Sequence, residues 1–215
     1  MNIYMLRHGE TDWNLAGRLQ GHTDIPLNQN GKNQIRIAAE ALNALATDID
    51  LIFSSPLSRA YESAEIVADR LNYEKKNIVV EPLLIERGFG VGEGLLLAER
   101  AEKYPGDNYP EMESFDRLIE RANEVFQKIV EASKDKENVL LVAHGAILYA
   151  ILTAITEGKM VYGGPLTKFE PGSIHLLKYV NGEVEVIKYN QEISMSSYTL
   201  KGLIKLVECK VYEKR

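Results

Sequence analysis

Cysteine is almost missing from this chain of 215 residues, which contains Cys209 and no other. One cysteine excludes an intrachain disulfide and a metal cluster with several cysteine ligands. Such sparse use of cysteine fits a reducing compartment, and the first residues lack the charged and then apolar layout of a secretory signal peptide. We therefore expect a cytoplasmic protein.

Long apolar runs and dense positive charge are also scarce. The most apolar stretch, 139–155, is shorter than a comfortable membrane span and contains His144 and Gly145 near its middle. It therefore predicts a buried strand, a tight turn and a buried helix. The net charge is −6 and lysines and arginines form no block, which disfavours nucleic acid as a partner. We expect neither a membrane nor a nucleic acid as a partner.

The common metal-binding spacings are missing too. The four histidines form neither an HxH pair nor an HExxH motif, and they are His8, His22, His144 and His175. These two arrangements are the ones that commonly hold zinc. Metal-dependent hydrolysis is therefore disfavoured, and we expect no metal and no other cofactor.

The chain does have an ordinary globular composition, with 45% apolar and 26% charged residues. This length and composition predict one domain over 1–215 with a large core. Apolar runs that predict strands alternate with periodic segments that predict helices. The strands are at 3–6, 51–53, 78–80 and 139–142, and the helices at 28–46 (capped by Asn28), 56–71, 114–132 and after His144. This alternation predicts an α/β fold, a three-layer α/β/α sandwich on a mainly parallel central sheet.

Two further stretches complete the predicted architecture. Segments 173–179 and 184–189 alternate in polarity across Asn181-Gly182, which predicts a C-terminal hairpin of antiparallel edge strands. The stretch 82–113 is rich in glycine and predicts a long irregular loop, which inside a compact domain is usually functional. The segment after Ser194 fits either an amphipathic helix or a strand.

Three of the predicted strands end in polar side chains. Arg7 and His8 follow the first, Arg59 follows the second after a serine-rich turn, and His144 follows the fourth. Since the carboxyl ends of parallel strands share one edge of a sheet, we expect these four side chains to converge. Arginine offers a planar charged fork suited to phosphate, and histidine can act as a nucleophile or move protons near neutral pH. We interpret the cluster as an anion site.

The turn before Arg59 supports that interpretation. Ser55 is predicted to be the N-cap of a helix and Pro56 its first residue. Arg59 then lies in the first turn, where free backbone N–H groups and the positive end of the helix dipole favour an anion.

These motifs, together with others at similar intervals, resemble the pattern of the histidine phosphatase superfamily, the phosphoglycerate mutase-like proteins. The resemblance covers most of the chain. It rests on Arg7-His8-Gly9-Glu10-Thr11 with Trp13-Asn14, Leu19-Gln20-Gly21, Asp24 with Pro26-Leu27, Gly31, the stretch 54–60, Ser63-Ala64, the stretch 86–90, Glu93-Gly94 and the stretch 142–145.

The resemblance implies a role for each residue of the anion site. His8 matches the histidine that attacks phosphorus and becomes phosphohistidine. Arg7, Arg59 and His144 match the groups that hold the phosphoryl oxygens. Neighbouring cations should keep His8 neutral, which is the form with a free lone pair.

Other roles fall on the loops. Glu86 matches the acid that protonates the leaving oxygen and then takes a proton from water. Three other carboxylates nearby are alternatives for that role, and they are Glu81, Glu93 and Glu99. The resemblance also implies three substrate-binding positions, which are Asn14, Gln20 and Gly21.

The leading interpretation is a metal-independent phosphomonoester hydrolase of the phosphatase branch, which works through phosphohistidine on small phosphorylated metabolites. We expect a monomer or a homodimer. The first alternative is a bisphosphoglycerate-dependent phosphoglycerate mutase, and the second is a non-catalytic module that binds a phospho-ligand or a protein.

The loop disfavours the mutase. Mutases of the family resemble one another in a tryptophan-arginine-arginine stretch, whereas 95–113 is net acidic here and has no paired arginines. Many family phosphatases show Trp-Glu-Gly where this chain has Gly92-Glu93-Gly94. We expect four aromatic residues in the loop and just after it to line the pocket instead, and they are Phe89, Tyr104, Tyr109 and Phe115.

Overall fold

The computed structural model describes residues 1–44, 48–106, 108–156 and 169–191, with side chains up to residue 185. The described residues form a six-stranded sheet in the order β3-β2-β4-β1-β5-β6. The strands are β1 Asn2–Arg7, β2 Leu51–Ser54, β3 Val79–Val80, β4 Asn138–Ala143, β5 Ile174–Val180 and β6 Glu183–Gln191. The first four run parallel, and β5 and β6 form an antiparallel hairpin beside β1. This confirms the predicted sheet and its hairpin.

Helices cover both faces of the sheet. The described residues form six α-helices, of which α2, α3, α5 and α6 contribute to the two cores beside the sheet. The six are α1 Asp12–Leu15, α2 Gln29–Ala44, α3 Ser58–Arg70, α4 Leu97–Lys103, α5 Phe115–Ala132 and α6 Gly145–Ile155. Alternate residues of β1 face opposite layers, as the two-residue period of a strand requires. Tyr4 and Leu6 pack with α2 and α3, whereas Ile3 and Met5 pack with α5 and α6. The three-layer prediction is confirmed.

The prediction of the helix start after β2 is wrong. Helix α3 begins at Ser58, because Leu57 is extended (φ −69°, ψ 138°) and serves as N-cap. Ser55 Oγ accepts a hydrogen bond from the Leu57 N–H (3.3 Å) and so holds the turn, while Asp24 Oδ1 accepts from the Ser58 N–H (2.9 Å). A carboxylate distant in sequence thus does the capping that we assigned to Ser55. Arg59 still lies in the first turn.

The stretch 82–113 is more ordered than predicted. It contains α4 and two short 3₁₀ segments, Pro82–Leu84 and Gly90–Gly92. Helix α2 is capped as expected, since Asn28 Oδ1 accepts from the Gly31 N–H at 2.8 Å. Cys209 and the segment after Ser194 lie outside the described residues, so one domain over 1–215 stays a prediction. Within the described parts of the chain, no helix combines the length and apolarity needed to cross a membrane.

Candidate active site

The ends of three central strands bring the candidate residues together. In the register of the sheet, Arg7 lies beside Ala143 and Ser54 beside Val142. The His8 N–H extends the ladder by donating to the Ala143 carbonyl at 3.0 Å. The rings of His8 and His144 consequently stand with their centroids 5.0 Å apart.

The His8 ring is buried and its tautomer is determined by its backbone. Its Nδ1 lies 2.7 Å from the Gly9 carbonyl oxygen. A carbonyl only accepts, so Nδ1 carries the proton and the neutral ring keeps a lone pair on Nε2. Burial, then the charge of Arg7, then that of Arg59, hold the pKa of His8 well below its ordinary value. A neutral imidazole among cations can act as a nucleophile.

Glycine is needed directly after His8. A Cβ at Gly9 would stand 2.3 Å from the Gly31 carbonyl oxygen, and a Cβ at Gly31 would stand 2.1 Å from the Glu10 carbonyl oxygen. The two backbones therefore pack against each other where no side chain fits. The Gly9 N–H also donates to Ser63 Oγ (3.3 Å), which ties the turn to α3.

Arg59 is fully buried, and each of its three side-chain nitrogens donates one hydrogen bond within the protein. Nη2 donates to the Gly21 carbonyl at 2.8 Å, Nη1 to the Thr23 carbonyl at 3.0 Å, and Nε to His144 Nδ1 at 3.2 Å. Burial lowers the pKa of Arg59 to about 10, a shift that the charge of Glu86 opposes. The guanidinium therefore remains charged at neutral pH.

His144 supports Arg59 from the other side. An arginine N–H can only donate, so His144 Nδ1 accepts from it and the proton of the neutral ring is on Nε2. That proton is donated to Ser55 Oγ at 2.7 Å. Burial, followed by the charges of neighbours led by Arg59, lowers the pKa of His144 well below its ordinary value. In this arrangement, both ring nitrogens are engaged within the protein.

Arg7 and Glu86 both lie at the N-terminus of α6. A Cβ on Gly145 would lie 3.7 Å from Arg7 Cζ and 3.9 Å from Glu86 Oε2. Glu86 Oε1 accepts from the N–H groups of Ala146 and Ile147, each at 3.1 Å. Free N–H groups at a helix start favour an anion, so they hold this carboxyl group at the start of α6, near Arg7.

The other three candidate carboxylates point elsewhere. Glu81 forms an ion pair with Lys128 at 2.6 Å, and Glu99 accepts from the Leu96 N–H at 2.7 Å. Glu93 accepts from the backbone N–H groups of residues 22, 23 and 89. Of the four, only Glu86 stands beside Arg7 and α6.

The predicted substrate-binding positions all make hydrogen bonds within the protein. Asn14 Oδ1 accepts from the Thr11 N–H (3.1 Å), and Gln20 Nε2 donates to Thr11 Oγ1 at 2.9 Å. Gly21 holds Arg59 through its carbonyl. Contact of these three residues with a substrate stays a prediction.

Three residues support the site in ways that differ from their predicted roles: Ser55 was predicted as a helix cap, Asp24 only as part of the family pattern, and Glu93 as an alternative acid. Ser55 Oγ accepts a hydrogen bond from His144 Nε2, and Asp24 caps the helix that carries Arg59. Glu93 joins two loops; burial raises its pKa, but hydrogen bonds from Thr23, His22 and Phe89 outweigh burial and lower it. Their motif positions were a signal, but their partners are distant in sequence. In the described part of the chain, no group of three or more histidine, cysteine or carboxylate side chains is arranged to hold a metal ion.

Comparison with known proteins gives one family. A family model described as histidine phosphatase superfamily (branch 1) matches residues 3–192. The Bacillus subtilis (strain 168) protein named uncharacterized phosphatase PhoE is 42% identical over 156 residues, which span 73% of this chain and 78% of that protein. The metal-independent phosphoserine phosphatase of Arabidopsis thaliana is 34% identical over 186 residues, 81% of this chain and 76% of that protein.

A solved structure agrees with the family. The mycobacterial glucosyl-3-phosphoglycerate phosphatase in complex with VO3 is similar with a TM-score of 0.79 and 26% identity, over 89% of this chain and 99% of that chain. Proteins named as phosphatases and as phosphoglycerate mutases both occur among the relatives.

Proposed function

Because the chain belongs to the histidine phosphatase superfamily, we propose that it is a phosphomonoester hydrolase that forms a phosphohistidine at His8 and needs no metal. The observation that carries the proposal is the hydrogen bond from His8 Nδ1 to the Gly9 carbonyl oxygen at 2.7 Å. It leaves the Nε2 lone pair for phosphorus. Burial, Arg7 and Arg59 lower the pKa of His8, so that lone pair stays unprotonated at neutral pH.

In the first step, Nε2 of His8 attacks phosphorus while the bond between phosphorus and the ester oxygen breaks. Arg7 and Arg59 hold the phosphoryl oxygens, and their charge stabilises the charge on those oxygens. We assign His144 to the same pocket, where its contact with Arg59 directs the guanidinium. Glu86, as the neutral acid, gives its proton to the leaving oxygen and the alcohol departs.

In the second step, water attacks the phosphohistidine and the Glu86 carboxylate takes a proton from it. The bond between phosphorus and Nε2 breaks, the electron pair returns to the His8 ring, and phosphate leaves. The position of Glu86 beside Arg7 supports both of its roles. The fixed guanidinium groups do the work that a divalent ion does in metal-dependent phosphatases, and a metal-independent phosphatase is among the relatives.

Hydrolysis is preferred over the mutase reaction because of the loop. A mutase must keep its bisphosphorylated fragment bound, and charge-assisted contacts of about 1.5–3 kcal/mol each would do so. The stretch 95–113 is net acidic. Its cations Arg100 and Lys103 lie in the last turn of α4, and Glu99 lies in the first turn of the same helix. The substrate is therefore a small metabolite with few charges besides its phosphate.

Trapping the intermediate tests the proposal. Quenched turnover of a ³²P-labelled phosphomonoester should leave a protein-bound label that is labile to acid and stable to base, and His8→Ala should carry none. Exhaustive chelation should leave the rate nearly unchanged, and vanadate should inhibit. Label on the His8→Ala protein, or activity that zinc restores after chelation, would contradict the proposal.

A second assay separates the alternatives. One preparation receives p-nitrophenyl phosphate, and separately 3-phosphoglycerate with and without bisphosphoglycerate. We expect phosphate release from the ester and little isomerisation. Rapid isomerisation that needs bisphosphoglycerate would establish the mutase, and binding without turnover of any ester would establish the non-catalytic module.

A further inference from the structure

Arg121 lies in α5, outside every motif that defines the site, yet it contacts the backbone that carries Glu86. Its Nη1 donates to the carbonyl oxygens of Leu83 and Ile85, each at 2.7 Å. Its Nη2 reaches the Glu86 carbonyl at 3.4 Å. One guanidinium thus holds three carbonyl groups of the segment that leads into the acid.

The rest of the Arg121 fork closes the base of the loop. Nε donates to Glu113 Oε1 at 2.9 Å and Nη2 to Glu113 Oε2 at 2.7 Å, and the two side chains are only 14% and 17% exposed. The backbone of Glu113 also binds the start of the loop. Its N–H donates to the Gly88 carbonyl (2.8 Å), and its carbonyl accepts from Arg87 Nε (2.9 Å). The Arg121–Glu113 pair therefore joins the start of the loop to its end.

We infer that Arg121, oriented by Glu113, is a positioning residue that sets where the Glu86 carboxyl group stands relative to the phosphoryl pocket. The inference rests on the proposed function, in which Glu86 is the general acid. The Glu86 carboxyl group is held at its tip by α6 and at its backbone by Arg121, so its position depends on both. A misplacement of about 1 Å in a catalytic group can cost about 10²-fold in rate.

A misplaced acid has a kinetic signature that lost stability lacks. An alkyl phosphate releases an alkoxide, which needs the proton of Glu86, whereas nitrophenolate leaves as a stable anion and needs it much less. The ratio of the two rates in one preparation does not change with the fraction of folded enzyme. This ratio therefore isolates positioning from folding.

The experiment compares kcat/KM for glycerol 3-phosphate and p-nitrophenyl phosphate in four variants. Arg121→Lys keeps the charge but loses the fork, and Glu113→Gln places an amide N–H against a donor. Glu86→Gln is the reference for a missing acid. Arg70→Lys is the matched control, because Arg70 makes a similar two-pronged pair with Glu40 (2.6 and 2.7 Å). Arg70 is the last residue of α3, at the opposite end of that helix from Arg59.

We expect Arg121→Lys and Glu113→Gln to lower the alkyl rate about 10- to 100-fold and the nitrophenyl rate less than about threefold. Arg70→Lys should match the wild type on both esters. Equal losses on both esters, or no loss, in both Arg121→Lys and Glu113→Gln would overturn the inference while Glu86→Gln stays selective. If Glu86→Gln itself is not selective, the acid assignment in the proposed function fails first.

Discussion

The two halves of this site are built in different ways. The strand-end half consists of Arg7, His8, Arg59 and His144, and each ends a central strand, follows one directly or lies in the first turn of the helix after it. The loop half consists of Glu86 and the residues that hold it and the loops around it, which are Glu93, Glu113 and Arg121. In the strand-end half, the hydrogen-bonded register of the sheet determines where the side chains lie. In the loop half, side chains that are distant in sequence hold the backbone that carries Glu86.

This difference predicts how each half fails. A change in the strand-end half disturbs the groups that, in the proposed function, hold the phosphoryl group itself, so the rates on all esters should fall by the same factor. A change in the loop half moves a proton donor, so the loss should depend on the leaving group.

The largest effect is expected for Arg59→Lys. A lysine cannot serve the Gly21 and Thr23 carbonyls and His144 Nδ1 at once. We expect kcat/KM to fall about 10²–10³-fold, as for loss of one oxyanion donor, by the same factor for alkyl and nitrophenyl esters. Arg36→Lys is the control, since Arg36 is exposed and contacts Asn33. A loss that spares the nitrophenyl ester would erase the distinction between the halves.

The next effect is on stability. In Gly9→Ala, the new Cβ would stand 2.3 Å from the Gly31 carbonyl oxygen, and both groups are backbone. Overpacking of this kind typically costs about 1–3 kcal/mol, occasionally more, and we expect at least that loss in urea unfolding. Gly145→Ala is the matched control, because its nearest neighbour would be 3.7 Å away. Equal unfolding midpoints for the two variants would show that the close approach is not constraining.

Glu93→Gln tests the loop half. Glu93 accepts from four donors, the last being Thr23 Oγ1, and an amide would set one donor against another. We expect the free energy of unfolding to fall by about 1–3 kcal/mol at pH 7. Glu74→Gln is the exposed control.

The pH dependence of this difference has a definite sign. Because hydrogen bonds lower the pKa of Glu93 from 4.5, the unfolded chain binds more protons below that pH. The contribution is complete above pH 4.5 and is lost as pH falls through the lower folded value. The gap between wild type and Glu93→Gln should therefore narrow below pH 4.5, and a constant gap would contradict it.

The two halves also differ in how far sequence reasoning reaches. The strand-end half could be predicted because apolar runs locate strands and parallel strands share an edge, so the placement of His8 and His144 follows from local pattern. In the loop half, Glu86 was implied by the family resemblance alone, and the residues that hold it could not be predicted from local pattern. Arg121 looks like an ordinary surface arginine of an amphipathic helix, and its backbone partners carry no side-chain signal. The predicted start of α3 was wrong for the same reason, because Asp24, which caps the helix, comes from a loop distant in sequence.

The smallest effect concerns a histidine outside both halves. His175 is fully buried on β5, with Ser173 Oγ 3.2 Å from its Nε2 and the Phe169 ring 3.8 Å from its own. Burial lowers its pKa from 6.5 to about 3. His8 and His144 shift in the same direction, so all three stay neutral in the folded protein where the unfolded chain takes up protons.

The sign then follows for the whole protein. Below pH 6.5 the unfolded state binds more protons, so stability is greatest above that pH and declines towards the folded pKa values. In His175→Gln, the unfolded chain has one buried histidine fewer to protonate. The free energy of unfolding of the variant should therefore decline by about 1.4 kcal/mol less per pH unit than that of the wild type. The measurement is urea unfolding of both proteins from pH 8 to 5, with the difference at pH 8 as baseline. Curves that stay parallel down to pH 5 would mean that His175 is protonated in the folded state. We expect the two curves of unfolding free energy against pH to converge or cross as the pH falls below 6.5. This loss of stability from histidine protonation would then be distinct from the loss at Glu93, which begins about two pH units lower.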